Sequence, residues 1–338
     1  WERIVRAGSG HSEDCLGIEG VATAVKAAMA RAETDSADVL FLFATHHYSG
    51  EYEDMLDVAV EMADTEAVVG CSGAGVLSDE GEVERGPGIT ALALAGEGLV
   101  AEPFLARGPK AAEEIAAAIG PRMEDGGVVA LFPDVFSRNP IELVADLEEV
   151  GCGLPLVGGA ASGDPMEGRT YQWCGRELAD HGVAGIMLGG DVEARVGVAQ
   201  GCQPFGQAYT ITKADGHMIE EIAFSPAVDI LKEALGTLPA AGRDEAGPPV
   251  FIGLAMDEHA LTRGQGDFLV RHVSLDPSTG ALVAGEAVEV GQTIRFNVRT
   301  AAAAREDMRN MVGRLTAEAF DPTFGLYFNC VGRGFGLY

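Results

Sequence analysis

Lysine is nearly missing. Four of the 338 residues are lysines, and all 23 basic residues face 52 acidic ones, for a net charge of −29. A surface so short of cations repels nucleic acid and anionic membranes, so neither is expected as a partner. Two readings of the acidity stay open: a solubilising shell and adaptation to high salt. No apolar run approaches the roughly 18 residues of a membrane span. The opening "WERIVRAGSGHSED" has no apolar h-region, so no secretory signal is visible and a cytoplasmic protein is expected. CxxC pairs are absent. Cys15, Cys71, Cys152, Cys174, Cys202 and Cys330 are scattered without metal-like spacing to the histidines. That pattern argues against zinc and iron–sulfur sites and for a reducing compartment.

What the chain does have is apolar mass, 47% of its residues, and 46 glycines without a collagen period. Large cores can be buried, and the length suits about two domains.

The glycines organise a repeat. "DVLFLFATHH" (38–47) matches "GVVALFPDVF" (127–136), and both read as buried strands. Helical stretches flank each: "EGVATAVKAAMARAE" and "EYEDMLDVAVEMAD" around the first, "PKAAEEIAAAIG" and "NPIELVADLEEV" around the second. Met55, Leu56, Ala59 and Val60 share one helical face; Ile141, Val144 and Leu147 are expected to share another. "AVVGCSGAG" (67–75) then matches "PLVGGAASG" (155–163), with Gly70 and Gly158 lying 88 residues apart. "GITALALAG" (88–96) matches "GVAGIMLGG" (182–190), 94 apart. We read an internal duplication of α/β units with mixed sheets, about 15–108 and 109–212.

After residue 212 the pattern changes. "SPAVDILKEALG" reads as a helix with Ser225 as N-cap and Pro226 at N1. "LPAAGRDEAGPP" reads as a surface loop; "VFIGLAM", "DFLVRHVSL" and "TIRFNVR" read as strands. "REDMRNMVGRLTAEAF" reads as a helix with Met308, Met311, Val312 and Leu315 on one face. "GLYFNCVGRGF" reads as a buried strand ending in a glycine turn, the beginning of a third unit that stops at Tyr338. The chain is therefore expected to continue in its natural form.

Candidate chemistry gathers at strand ends. Gly70-Cys71-Ser72-Gly73-Ala74 resembles a nucleophile elbow, but alanine stands where the last glycine belongs. The second copy replaces Cys71 by Gly159 and Ser72 by Ala160, so the copies share backbone shape and not a nucleophile. No lysine for a phosphate loop and no GxGxxG accompany the turn. Exposed main-chain N–H groups in such turns still suit an anion; close strand packing is the plainer explanation of the glycines. His46 and His47 end a strand, where alternation turns one of them toward a cleft. Such a histidine could be core-satisfied, a ligand contact, or an axial ligand of haem iron. Gln200 and Cys202 sit in the bend "VAQGCQPFGQAYTITKA", which suits a pocket wall as well as a plain strand corner. Arg333 could pair with a carboxylate or phosphate, or simply face solvent.

"VVGCSGAGVLSDEGEVERGPGITALAL", "LVGGAASGD", "GVAGIMLGGDVEARVGVAQGCQPFG" and "ITKADGHMIEEI" together resemble the FIST N-terminal region. "SPAVDILKEAL", "SLDPSTGALVAGEAVEVGQTIRFNVRTAAAAREDM" and "GLYFNCVGRGFGLY" resemble the FIST C-terminal region. The resemblance runs nearly the whole length, in order, with a boundary expected at 222/223. It implies a non-catalytic sensory module of signal transduction whose ligand is an amino acid or other small anion, working with a kinase or cyclase as partner. It also implies an alternative, a haem-bound nitric oxide sensor. An enzyme with Cys71 as nucleophile is the third reading. For the first reading, the expected ligand contacts are His46, His47, Cys71, Ser72, Gly73, Gly159, Ala160, Ser162, Gln200, Cys202 and Arg333. The two glycine turns would supply main-chain donors and Arg333 would pair with a negative group.

Overall fold

The computed structural model describes residues 5–164, 166–238, 249–258, 267–317 and 320–338. His259 and all but the two end residues of the loop read over 238–249 lie outside them. The chain divides into two units. The first comprises residues 1–195 and 321–335, the second 196–320 and 336–338.

The duplication is plain in the first unit. One copy runs β1 (Arg6–Ser12), α1 (Gly17–Arg31), β2 (Val39–Thr45), α2 (Tyr52–Ala63), β3 (Val68–Gly73), a small hairpin of β4 (Val76–Leu77) and β5 (Glu82–Val83), then β6 (Ile89–Ala95). The other runs β7 (Leu99–Ala106), α3 (Ala111–Ile119), β8 (Val128–Pro133), α4 (Pro140–Glu149), β9 (Leu156–Gly158), a hairpin of β10 (Gln172–Cys174) and β11 (Glu177–Ala179), then β12 (Val183–Gly190). Strand order is β1-β6-β2-β3 in the first sheet and β7-β12-β8-β9 in the second. In both, the two strands joined by the second helix, β2 with β3 and β8 with β9, are parallel and the other pairs antiparallel. The hairpins differ in destination: β10 leaves its own copy and pairs antiparallel with β3 of the other.

Side-chain alternation assigns each strand face to a core. Leu40, Leu42 and Ala44 of β2 pack under α1 and α2 with Val21, Ala24, Met55 and Leu56. Val129 and Leu131 of β8 pack under α3 and α4 with Ile115 and Leu147. The opposite faces meet each other: Val39, Phe41, Val69 and Leu94 join Ala130, Phe132, Ile186 and Leu188 in one core. Phe43 and Phe132 close it edge to face, with ring centroids 5.3 Å apart. The first unit is thus layered helix, sheet, sheet, helix.

Three expectations change. On α4 the buried residues are Leu143 and Leu147, while Ile141 and Val144 are exposed. Asn139 caps this helix by accepting the Ile141 N–H, and only the i, i+4 pair Leu143 and Leu147 reaches the core under α3 and β8. Residues 321–330 form no strand. Phe324, Leu326 and Phe328 instead rest by their side chains on the inter-sheet core. Residues 203–215 do not belong to the second copy; they open the second unit.

That unit contains β13 (Gln203–Asp215), β14 (Met218–Ile222), β15 (Ser225–Pro226), α5 (Ala227–Gly236), β16 (Val250–Ala255), β17 (Phe268–Leu275), β18 (Leu282–Ala284), β19 (Thr293–Val298) and α6 (Ala301–Leu315). The antiparallel order β13-β19-β16-β17-β18-β14 closes through a further β13–β14 pairing. The result is a six-stranded barrel filled by residues such as Ile211, Ile252, Leu282, Ile294 and Phe296. Ala227, Ile230 and Ala234 of α5 complete this core. The α5 N-cap is Pro226, one residue later than expected, because Ser225 pairs with Ile222. On α6, Met311 is buried as expected, but Val312 is exposed and Asp307 takes its place on the inner face.

Candidate functional site

Nine of the expected contact residues lie in the first unit; Gln200 and Cys202 lie in the second. The glycine turns of the first unit are fastened to each other. Ser72 Oγ donates to the Ser162 carbonyl at 2.8 Å, and the Ser162 N–H donates to the Ser72 carbonyl at 3.0 Å. Ser162 Oγ accepts from the Ala74 N–H, and Ser72 Oγ accepts from the Tyr171 N–H. The N–H groups of Gly159 and Ala161 donate to Leu131 and Pro133. The N–H groups of Ala74, Gly159, Ala161 and Ser162 are therefore spent inside the fold and are not offered to a ligand, which removes most of the donors expected of these turns. Ala160 is exposed, and Gly73 lies in register with Thr45 in the β2–β3 ladder.

Gly70 has a steric reason. A Cβ there would stand 1.8 Å from the Leu42 carbonyl oxygen and 2.9 Å from Trp173 Nε1. The bare backbone lets the indole reach over β3 and donate to Leu42 O at 3.1 Å. Its counterpart Gly158 meets the counterpart carbonyl, Leu131 O, at 2.0 Å and has φ +137°.

Cys71 is buried in the inter-sheet core, and burial pushes its thiol up to about 12. A thiol so placed is not a thiolate near neutrality. His46 and His47 occupy a short 3-10 turn after β2, not the strand itself, so alternation does not separate them. Their rings stack at 4.3 Å. The Thr45 hydroxyl gives its proton to Gly86 O, so His47 Nδ1, 3.2 Å away, is the donor to Thr45 Oγ1. His47 Nε2 is then left as the acceptor. Desolvation, then the neighbouring His46, lowers the His47 pKa, against a raising influence from Asp164. His46 Nδ1 is buried without a partner. This pair does not fit a haem. The rings lie on each other, His47 is exposed, and Thr45 and Asp164 make the surroundings polar where a macrocycle needs an apolar slot. Among the described residues no cluster of three or more His, Cys, Asp or Glu side chains is placed to hold a metal ion. Arg333, half-buried in the 3-10 turn 331–333, already interacts within the chain.

The second unit holds a small concavity, open to solvent, with room inside it of about 30 Å³. Residues 198–204 run along it with alternate side chains inward: Val198, Gln200, Cys202 and Pro204. Gln200 is a fixed wall element. Its Nε2 donates to Phe268 O and its Oε1 accepts from the Val270 N–H, each at 2.6 Å. Phe268 and Val270 supply apolar surface from β17, and Arg295 and Asn297 line it from β19. Asp307 and Arg314 project from α6, seven residues apart and so on one helical face. Asp307 is buried, and its Oδ2 accepts the Gly201 N–H at 2.9 Å. Arg295 Nε is buried with no hydrogen-bond partner, although carboxylates are plentiful in this chain. Ile294 and Phe296 on either side point into the barrel, which holds the arginine on the pocket side. Gln200 and Cys202 are among the contacts expected from the sequence; Arg295, Asn297, Asp307 and Arg314 are not. The only signal available was a charged residue inside the alternating strand "TIRFNVR".

Comparison with known proteins decides the family. The FIST N domain matches residues 38–223 and the FIST C domain matches residues 227–337. The chain belongs to the FIST family. The two FIST regions meet at residues 223–227, whereas the structural units part at Arg195/Val196, because β13 is built into the barrel. Similar FIST chains include an uncharacterized protein of Mycobacterium tuberculosis, 33% identical over 308 residues, spanning 87% of this chain and 76% of that protein. Another, from Mycobacterium bovis, is 32% identical over 304 residues, spanning 89% and 78%. Among solved structures, a cyanuric acid hydrolase from A. caulinodans aligns with a TM-score of 0.29 and 14% identity over 54% of this FIST chain and 70% of that one, too slight a likeness to carry an argument. No helix among the described residues is long and apolar enough to cross a membrane.

Proposed function

We propose that this FIST protein is a non-catalytic sensory protein that binds a small ligand carrying a carboxylate or similar anion in the pocket of its second unit. Its occupancy would be read by a separate signalling partner such as a kinase or cyclase. The observation that carries the reading is Arg295: a guanidinium held on the pocket wall with a buried, unpartnered Nε. An unpartnered buried Nε–H costs free energy, as it also does at Arg138, Arg299 and Arg333, but of these Arg295 alone lines the pocket, where an incoming carboxylate would supply bidentate, charge-assisted hydrogen bonds. The apolar wall of Val198, Pro204, Phe268 and Val270 suits the carbon skeleton of a small organic acid. Against catalysis stands the buried thiol of Cys71, whose pKa burial raises to about 12.

Isothermal titration calorimetry of the whole chain against a panel of amino acids and small carboxylic acids tests this. At least one carboxylate should bind saturably, and Arg295→Gln should abolish the heat while leaving the unfolding transition intact. Absence of binding by every carboxylate up to millimolar concentration sinks the reading.

A further inference from the structure

The charge balance of this pocket reaches further than a single carboxylate. Two guanidinia line it, Arg295 from β19 and Arg314 from α6, against one carboxylate, Asp307. Neither arginine has an ion pair among the described residues. Several arginines elsewhere pair with acids, Arg31 with Glu80, Arg107 with Glu177, Arg176 with Asp57 and Arg271 with Glu286, whereas Arg299 and Arg305 lie over the rings of Phe251 and Tyr338. Asp307 is meanwhile engaged by the Gly201 N–H, where it fastens the extended segment 196–202 to α6. Among the described lining residues positive charge thus exceeds negative by one, in a molecule whose net charge is −29.

The two cations also stand differently. Arg295 has a buried Nε and lies on the barrel wall, whereas Arg314 is exposed, on the last turn of α6. Phe268, Val270, Val198 and Pro204 belong to the same lining. A ligand that satisfies all of this has two anionic groups on an apolar spacer, one for each guanidinium. A zwitterion fits worse. Its ammonium would add a third cation beside the two arginines, with Asp307 the one carboxylate among the described lining residues.

We infer that the pocket's ligand is a small organic dianion of the dicarboxylate class, with Arg295 holding one carboxylate and Arg314 the other. This rests on the reading of the pocket given above. Each charge-assisted contact contributes about tenfold in affinity.

The test is calorimetry on the full chain with succinate, glutarate, butyrate, leucine and inorganic phosphate. Wild type should bind one of the two dicarboxylates at least about tenfold more tightly than butyrate, leucine or phosphate. Arg314→Gln should bring that dicarboxylate down to the affinity of butyrate. Arg295→Gln should lose both, and thermal unfolding of each variant checks that it is folded. Butyrate or leucine binding as tightly as the dicarboxylates overturns the dianion while leaving the carboxylate pocket standing. So does an Arg314→Gln variant that discriminates as wild type does. Phosphate binding more tightly than any carboxylate, lost in Arg295→Gln, replaces the dicarboxylate by an inorganic anion. Failure of every carboxylate and of phosphate overturns both readings.

Discussion

Ser72 and Ser162 are bonded twice: the Ser72 hydroxyl donates to the Ser162 carbonyl at 2.8 Å, and the Ser162 N–H donates to the Ser72 carbonyl at 3.0 Å. They belong to different copies of the duplicated unit, so these bonds tie the ends of β3 and β9 together. Ser72 is almost wholly buried, and its oxygen also accepts the Tyr171 N–H.

Ser72→Ala strips the Tyr171 N–H of that acceptor and the Ser162 carbonyl of its side-chain donor. We expect a loss of about 2 kcal/mol in urea denaturation, the cost of leaving buried polar groups unpaired. Ser162→Ala removes one acceptor, that of the Ala74 N–H, and should cost about half as much. Equal, negligible effects would mean that the turns are not fastened in this way.

Gly70→Ala places a methyl group inside the Leu42 carbonyl and against the Trp173 indole. Backbone must move, at about 3 kcal/mol or more. The same displacement breaks the indole hydrogen bond to Leu42 O, so the tryptophan emission of the folded variant should shift relative to wild type. Tryptophan fluorescence through a denaturation series reads both.

Thiol labelling of the native chain should follow burial. Cys15 and Cys330 are exposed and should react first with a mild alkylator. Cys174, pushed up to about 11 by burial and by Glu177, should lag. Cys71, at about 12, should react only on unfolding. Peptide mass spectrometry of timed samples gives the order. Rapid stoichiometric labelling of Cys71 in the folded protein would restore it as a nucleophile.

His47 makes stability depend on pH in one direction. Its pKa is lowered in the folded chain by desolvation and by His46. The unfolded chain therefore takes up the proton first, near pH 6.5. Below that pH the unfolded state is favoured, and stability rises as pH increases through the window between the folded pKa and about 6.5. The effect is small because the ring is largely solvated. His47→Asn should flatten the difference between urea midpoints at pH 5.5 and 7.5; an unchanged difference would deny His47 this role.

Much of the first unit was legible because duplication and alternation are local and periodic. "DVLFLFATHH" and "GVVALFPDVF" became β2 and β8, and the glycine turns fell at equivalent places. Periodicity misled on α4, where Ile141, Val144 and Leu147 looked like one face. The i, i+4 pair Leu143 and Leu147 faces the core instead. At the candidate site, Gln200 and Cys202 were recognisable from a dense bend. Arg295, Asp307 and Arg314 were not, since each looks like an ordinary polar residue on a strand or helix. The contact of α6 with the segment 198–204, invisible to a local pattern, joins them around one pocket.

The core shared by the two sheets has a historical consequence. Phe41, Val69 and Leu94 stay dry only because Phe132, Ile186 and Leu188 lie across from them, and the reverse holds equally. A gene encoding one copy could have yielded a stable protein only by pairing two of its products. The pairing of β10 with β3, which ties one copy into the other's sheet, has no counterpart in the hairpin of the first copy and breaks that symmetry. Today's chain is in this sense a fused dimer, free to let its halves diverge without losing each other.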